Sequence, residues 1–336
     1  MPTLLESRRV VIAGASSLLG AELKSLLEES RFAASDFRLV DEEIAAGTLT
    51  EAGGEAAVIQ PVEENSFSKA WIIFFTGSST FSKTNLALAK RSGAHIVDLS
   101  GELAGQSNIH TWLSKTATLP AGGRAGSFAI PSAPAEIIAR LFNALSALKP
   151  SAISAVAFQP VSAAGKSGIE ELESQTGQLL SFQSIGKQVF DTQVAYTMLD
   201  RFGRSSNQSL SAALAAICRE VKTLIPADAT PPAIQLLHAP VFYGSTVTVS
   251  AFLDPNFETS AISKRCVEAG FTLTDSDAHP SNVSSAGEIS IQLAPPSPDP
   301  FAPGAFWFWA AADNLRIPAA NAVKLAEKLL DQKPFE

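Results

Sequence analysis

Residues 9–30, RVVIAGASSLLGAELKSLLEES, decide the fold of this 336-residue chain. An apolar run of strand length leads into a turn of small residues, and the turn opens a segment in which apolar residues recur at helical spacing. A strand, a glycine turn and a helix in this order begin a βαβ unit, and such a turn can present backbone N–H groups to a pyrophosphate. The pattern therefore predicts that residues 14–20 contact a dinucleotide.

The turn GASSLLG has glycine only at its two ends. Ser17 stands at the middle glycine position of the GxxGxxG fingerprint, where a side chain restricts the approach of a phosphate to the backbone. The hydroxyls of Ser16 and Ser17 can instead donate hydrogen bonds. The alternative interpretation is a tight turn in which a serine caps the helix. The candidate cofactor-binding residues of this turn are Gly14, Ser16, Ser17, Leu18, Leu19 and Gly20.

Two later strand ends extend this candidate cofactor site. Asp41 closes the run FRLVD, where an acidic side chain would accept a hydrogen bond from the ribose 2′-hydroxyl of NAD and repel the 2′-phosphate of NADP. An ordinary loop carboxylate is the alternative at this position. Gly77 and Ser78 follow the apolar run AWIIFF and are small enough to line a cleft. The pattern favours NAD over NADP and leaves both open.

The order of predicted elements indicates two domains. Up to about residue 130, short β-rich runs alternate with helical segments, which predicts a doubly wound parallel sheet of the Rossmann type. Farther on, SAISAVAFQPVS and APVFYGSTVTVSAFLD predict strands of an α+β domain. In the stretch between, FAIPSAPAEII, we expect a helix to open at Ala135. The expected domains are a dinucleotide-binding-type α/β domain over 1–133, completed by a C-terminal helix at 314–336, and an α+β dimerisation or substrate domain over 134–313.

Composition and charge argue against several classes of partner. The net charge of −8 comes without a block of Lys or Arg, which argues against nucleic acid. No apolar run reaches the roughly 18 residues of a membrane helix, and we expect a cytoplasmic protein. Cys218 and Cys266 have neither the spacing of a disulfide framework nor that of a metal site. Both fall in helical patterns, which predicts buried, inert thiols.

Six stretches follow one another along nearly the whole chain: GASSLLG, TGSSTFS, HIVDLSG, FQPVSAAGKSGIEEL, APVFYGSTVTV and AAADNLRIPAANAVKLAEKLL. In this order they resemble motifs of the aspartate-semialdehyde dehydrogenase family. The resemblance implies a domain for NAD or NADP and a second domain through which two copies form a homodimer. It also implies a known reaction, in which a cysteine attacks an aldehyde, a histidine acts as general base, hydride passes to the nicotinamide, and phosphate releases an acyl phosphate.

The resemblance places the family's reactive groups at positions that hold other residues in this chain. The nucleophilic cysteine corresponds to Ala133, and the general base corresponds to Ser245. The arginine that holds the substrate carboxylate corresponds to His238, and the phosphate-binding arginine falls near Ala104. Two positions keep the family's residue type, Gln159 at a substrate-positioning glutamine and Asn321 at an asparagine beside the cofactor.

These replacements imply a divergent homologue without the family reaction, similar to the Usg branch, which also lacks the cysteine. We expect a homodimer that binds a small molecule, with NAD or NADP as a structural or sensing ligand and no metal. An alternative is an oxidoreductase that reduces a carbonyl without a covalent intermediate, with Ser132 and His238 as polar contacts. The matched motifs offer no candidate general base beside Ser132. A further alternative puts Cys218 or Cys266 at the active centre.

Overall fold

The computed structural model describes residues 8–52, 55–114, 119, 125–275 and 277–332. The chain forms two compact units: unit 1 is Met1–Pro131 with Pro318–Glu336, and unit 2 is Ser132–Ile317. The boundaries expected from the sequence, after residues 133 and 313, lie two residues later and four residues earlier than these. Residues 333–336 of the expected C-terminal helix lie outside the described part.

Unit 1 is built from short strands that alternate with helices. Its described elements are β1 (Arg9–Ala13), α1 (Leu18–Glu28), β2 (Asp36–Asp41), β3 (Leu49–Ala52), β4 (Glu55–Val58), β5 (Gln60–Pro61), β6 (Ala70–Phe75), α2 (Ser79–Arg91), β7 (His95–Asp98), β8 (His110–Thr111) and β9 (Ser127–Ala129). β3 and β4 form a separate antiparallel pair, and a 3₁₀ turn at Glu43–Ala45 follows β2.

The other strands of unit 1 form one sheet in the order β5-β2-β1-β6-β7-β9-β8, with every neighbouring pair parallel. A parallel sheet covered on both faces requires apolar side chains at successive positions, and residues 10–13 of β1 and 72–75 of β6 are fully buried. The strand order reverses between β1 and β6, which makes this the switch point where doubly wound sheets bind ligands. The predicted Rossmann-type architecture is therefore confirmed.

Unit 2 mixes longer strands with four of the helices. Its described elements are α3 (Ala133–Ser146), β10 (Ala152–Gln159), a 3₁₀ turn at Val161–Ala164, α4 (Gly165–Leu180), α5 (Leu210–Leu224), β11 (Ala233–His238), β12 (Ser245–Phe252), α6 (Thr259–Glu268), β13 (Phe271–Leu273), β14 (Ile291–Leu293), β15 (Ser297–Pro298) and β16 (Ala305–Ala312). The last helix, α7 (Arg316–Asp331), has its first two residues in unit 2 and the rest in unit 1.

The sheet of unit 2 is mixed, as predicted. Its order is β11-β10-β12-β16-β14-β13, with β15 paired to β16, and it contains both parallel and antiparallel pairs. One face shares an apolar core with buried residues of α3, α5 and α6. The other face is partly open, because Phe252, Trp307 and Trp309 keep 42%, 45% and 38% of their surface exposed.

Helix α3 begins at Ala133, two residues before the start expected from the sequence. Pro134 lies in its first turn, where the missing N–H costs no hydrogen bond and the fixed φ suits a helix. The proline therefore belongs to the helix and not to the preceding turn. In the described part of the chain, no helix combines the length and apolarity needed to cross a membrane.

Candidate functional site

The turn after β1 is held by a close contact with the turn after β6. Gly14 has a φ of +94°, and a Cβ there would lie 2.2 Å from the backbone nitrogen of Gly77. A Cβ on Gly20 would lie 2.5 Å from the carbonyl oxygen of Gly14, so this glycine lets α1 pack close to the turn. Close packing is therefore sufficient to explain the glycine at each end of the motif.

Ser17 is the N-cap of α1 and directs its hydroxyl into the protein. Its Oγ accepts a hydrogen bond from the Gly20 N–H at 2.9 Å and donates one to the Thr76 carbonyl oxygen at 2.9 Å. Ser78 caps α2 in the same way, because its Oγ accepts from the Phe81 N–H at 3.1 Å. Ser17 therefore caps the helix, as the alternative interpretation of the turn predicts. Its hydroxyl already donates and accepts a hydrogen bond within the protein.

Asp41, the last residue of β2, fastens this turn. Its Oδ2 accepts a hydrogen bond from the Ser16 N–H at 2.7 Å, and its Oδ1 accepts from the Glu42 N–H at 2.8 Å. The side chain is only 7% exposed. A carboxylate offers about four lone-pair positions, so each oxygen can still accept a further hydrogen bond.

A cavity of about 510 Å³ lies at the end of β2. Its lining residues are Asp41, Glu42, Glu43, Pro61, Val62, Glu63, Thr80, Phe81, Thr84 and Asn85. The volume falls in the range of small-molecule sites, and the lining combines apolar contacts with a few polar groups. The cavity is strongly acidic, with four carboxylates among its ten lining residues.

In unit 2, three residues that the resemblance aligns with family site positions meet at one end of the sheet. Gln159 and His238 end β10 and β11 and are direct partners in the parallel register. Ser245 begins β12, the strand on the other side of β10, where Thr246 is the partner of Phe158. The side chains of a strand alternate between faces, so these three lie on the side of Ala157, Leu236 and Val247, which belong to the core beneath the helices.

The same core encloses Ala133, the residue that the resemblance aligns with the family nucleophile. Ala133 is completely buried at the start of α3 and belongs to the apolar cluster that also contains Ala157 and Ala312. Ser245 is 3% exposed. Neither position offers a reactive group to solvent.

His238 is packed among aromatic rings. Its ring centroid lies 5.6 Å from that of Phe202 and 6.1 Å from that of Phe190, and the residue is 1% exposed. Desolvation by burial lowers the pKa of His238, while its hydrogen bond with the Val194 carbonyl oxygen raises it. Nε2 lies 3.4 Å from that oxygen, and Nδ1 has no hydrogen-bond partner in the described part of the chain.

Ser132, directly before α3, has a carboxylate partner that its motif did not reveal. Its Oγ donates to Glu220 Oε2 at 2.5 Å, and its N–H donates to the same oxygen at 3.1 Å. Glu220 is 4% exposed on α5. The matched motifs hold no candidate base for Ser132, and the carboxylate comes from outside them, on a helix 88 residues farther along the chain. The available signal was an acidic residue on the face of α5 that also carries Ile217 and Val221.

The remaining predicted positions differ in exposure. Ala104 is 5% exposed within a core of unit 1, and Asn321 is 3% exposed on α7. Cys266 is fully buried on α6, and burial raises its pKa to about 12. Cys218 is exposed on α5, so the prediction that it would be buried was wrong. Neither cysteine lies on β10, β11 or β12, the strands that carry Gln159, His238 and Ser245.

A doubly wound unit with a glycine turn at its switch point, followed by a mixed-sheet unit, defines a two-domain protein of the dehydrogenase type. The chain belongs to the semialdehyde dehydrogenase family: residues 9–118 match the model of its NAD binding domain, and residues 138–317 match the model of its dimerisation domain.

Individual relatives are distant but align over their full length. The chain is 25% identical to a USG-1 protein homologue of Azotobacter vinelandii, over 96% of this chain and 98% of the relative. It is 24% identical to an aspartate-semialdehyde dehydrogenase of Rickettsia bellii, over 96% and 97% of the two chains. A solved structure of a probable aspartate-semialdehyde dehydrogenase from Pseudomonas aeruginosa has the same fold, with a TM-score of 0.84 at 24% identity over 97% of this chain and 99% of that one. The protein is a divergent, Usg-like member of the aspartate-semialdehyde dehydrogenase group.

Proposed function

We propose that this protein is a dimeric, NAD(P)-binding member of the semialdehyde dehydrogenase family that does not carry out the family's thioester chemistry. The observation that carries the proposal is the fully buried methyl group of Ala133 at the start of α3. Attack on an aldehyde requires a thiolate or a comparably activated nucleophile, which a methyl group cannot supply.

Two other residues that the resemblance aligns with family site positions support the same conclusion. Ser245 has no group that accepts a proton at neutral pH, and the pKa of His238 is lowered by desolvation. If His238 occupies the place of a guanidinium, the loss of a charge-assisted hydrogen bond to an anionic substrate costs about 1.5–3 kcal/mol. These changes affect separate steps of the reaction, since one concerns proton transfer and the other concerns substrate binding.

Cofactor binding is supported by the match to the NAD binding domain and by the site at the switch point. The first turn of α1 supplies N–H groups without intrahelical partners, among them those of Leu18 and Leu19, for the pyrophosphate. Asp41 would receive the ribose, and the cavity beside it has room for the nucleoside. A bound nicotinamide would supply hydride transfer.

The dimer is supported by the match to the dimerisation domain and by the open face of the unit 2 sheet. Trp307 and Trp309 alternate along β16 with the buried residues Phe306 and Phe308. Large aromatic side chains are typical of the centres of interfaces. The unpaired cysteines support a reducing compartment, and a cytoplasmic location is part of the proposal.

Two measurements test this function. Calorimetric titration with NAD and with NADP should detect binding, and failure of both at millimolar concentration would refute the cofactor half. A mixture of the protein, aspartate semialdehyde, phosphate and either oxidised cofactor should produce no reduced nicotinamide, while a cysteine-containing relative serves as the positive control. Turnover in this assay would refute the proposed absence of the family's thioester chemistry.

A second candidate function is favoured by the bond between Ser132 and Glu220. With Glu220 protonated, the Ser132 hydroxyl could give its proton to a carbonyl oxygen that receives a hydride and take one from Glu220, which is left as a carboxylate, without a covalent intermediate. A screen of aldehydes and ketones with reduced cofactor tests this candidate. Turnover that Ser132→Ala abolishes would support it, and absence of turnover with every substrate would remove it.

A further inference from the structure

We propose that the acidic cavity at the end of β2 makes the protein selective for NAD and excludes NADP by charge. The inference rests on the cofactor half of the proposed function and adds the identity of the cofactor. In doubly wound folds the residue at the end of the second strand meets the adenosine ribose, and this is the position of Asp41.

Asp41 is fixed at this position by the turn. Its carboxylate bonds the Ser16 N–H at 2.7 Å, so it lies directly beside the backbone that would meet the pyrophosphate. The lone pairs that remain on its oxygens can accept hydrogen bonds from a ribose hydroxyl, which is a donor. A 2′-phosphate has only acceptor oxygens and about two negative charges, so it would meet the same carboxylate with repulsion.

Three further carboxylates add to this repulsion. Glu42, Glu43 and Glu63 line the cavity and are exposed, and the described lining residues include no lysine or arginine. Arg38 lines the adjacent cavity instead. Its guanidinium donates hydrogen bonds to the carbonyl oxygens of Asn65 and Ser66 at 2.9 and 3.2 Å. No cation of the lining therefore offsets the charge of a 2′-phosphate.

The repulsion should depend on salt, because three of the four carboxylates face solvent. At an ionic strength of about 0.15 M the screening length is about 8 Å, and at 0.01 M it is about 30 Å. The ratio of the affinities for NAD and NADP should therefore be largest in dilute buffer and should decrease as salt is added. A preference set by shape alone would not change with salt in this way.

The experiment is calorimetric titration of the full chain with NAD and with NADP, each at low and at high salt. Like-charge contacts of this kind predict that NAD binds about tenfold or more tightly than NADP in dilute buffer. The variant E42Q/E43Q/E63Q should bring the two affinities together, and Glu43→Lys should tighten NADP binding. Glu29→Lys makes the same charge change at an exposed position of unit 1 that does not line the cavity, and it should leave the ratio unchanged.

The outcomes separate this inference from the function on which it rests. Equal affinity for the two cofactors, tighter binding of NADP, or a ratio that the neutralised variant leaves unchanged would overturn the selectivity and leave cofactor binding intact. Failure of wild type and variants to bind either cofactor would overturn both.

Discussion

The Ser132 hydroxyl lies 2.5 Å from Glu220 Oε2, and the Ser132 N–H points to the same oxygen. One carboxylate from α5 thus anchors the residue that precedes α3. Because Glu220 is almost completely buried, its replacement would leave two polar groups of Ser132 without this acceptor. The pair links the start of one helix to the buried face of another within unit 2.

Glu220→Ala should therefore destabilise the protein by about 1–3 kcal/mol, the usual cost of an unsatisfied buried hydrogen-bonding group. Ser132→Ala should cost less, because the N–H bond to Glu220 survives. Urea unfolding followed by circular dichroism measures both. Arg219→Ala, at the exposed neighbour on the same helix, is the control and should change the free energy of unfolding by less than about 0.5 kcal/mol. Equal effects of Glu220→Ala and Arg219→Ala would contradict the anchoring role.

Gly14→Ala should disrupt unit 1 far more than Gly93→Ala. Both glycines have a positive φ, but a Cβ at Gly93 meets nothing within 4 Å, whereas a Cβ at Gly14 would collide with the backbone of Gly77. Gly93→Ala therefore carries only the conformational cost of about 1–2 kcal/mol. Gly14→Ala should cost at least about 2 kcal/mol more, measured by thermal and urea unfolding. Similar losses in the two variants would show that the contact between turns is unimportant.

The contribution of His238 to stability should fall as the pH drops below about 6.5, the ordinary pKa of histidine. Burial lowers the pKa of His238 in the folded state, so in this window the unfolded chain binds a proton that the folded chain does not, and acid favours unfolding. The slope is at most about 1.4 kcal/mol per pH unit for one such proton. His95 has a lowered pKa for the same main reason and contributes in the same direction.

The variant His238→Phe, which keeps a ring beside Phe190 and Phe202, isolates the contribution of His238. Between pH 7 and pH 5 its free energy of unfolding should fall less steeply than that of wild type, and His95 should account for part of the slope that remains. Only the difference in slope is diagnostic, since the substitution can shift stability at every pH. Identical slopes would mean that His238 takes up protons equally in the folded and unfolded states.

The two thiols should react at very different rates. Cys218 is exposed, whereas Cys266 is fully buried with a pKa of about 12, so only Cys218 should react with a thiol reagent at neutral pH in the native protein. Denaturant should release the second thiol. In Cys218→Ser the native protein should be almost unreactive. Rapid native labelling of that variant would contradict the burial of Cys266.

A charge on the open sheet face should weaken the proposed dimer. Trp309→Glu places a carboxylate on β16, on the face that we assign to the second copy, and sedimentation velocity should detect a shift towards the monomer. Phe301→Glu is the control, because Phe301 is 94% exposed and lies outside the strands of this sheet. A wild-type protein that is monomeric, or a Trp309 variant that remains dimeric, would argue against this face.

Much of the fold follows from local pattern. Residues 10–13 and 72–75 are continuous apolar runs because both faces of the parallel sheet are covered, and alternating burial along β12 and β16 gives the one-sided sheet of unit 2. The row of Gln159, His238 and Ser245 depends on strand register, which the spacing of residues along the chain does not give. The family motifs supplied those positions, and the register brought them together.

Other features depend on contacts that no local pattern reveals. Glu220 meets Ser132 only because α5 packs beside α3; the helical pattern marks Glu220 as a residue of the buried face but does not indicate its partner. Cys218 was expected inside because its helix is amphipathic, but Ile217 and Val221 set the buried face and the thiol lies off it. The direction of the Ser17 hydroxyl is set by Thr76, which lies 59 residues away.

The backbone contact between Gly14 and Gly77 makes the two turns depend on each other, because a larger residue at Gly14 would displace the other turn. Selection for folding alone would preserve both glycines, so a lineage that had stopped using a nucleotide would still carry them. An engineer who wishes to change the ligand should therefore leave the glycines in place and replace Glu42, Glu43 and Glu63, the exposed carboxylates of the cavity. These three side chains are exposed and can change without harm to the architecture, whereas Asp41 also holds the turn, so across descendants of this chain the three glutamates, more than the glycines, should record which ligand is in use.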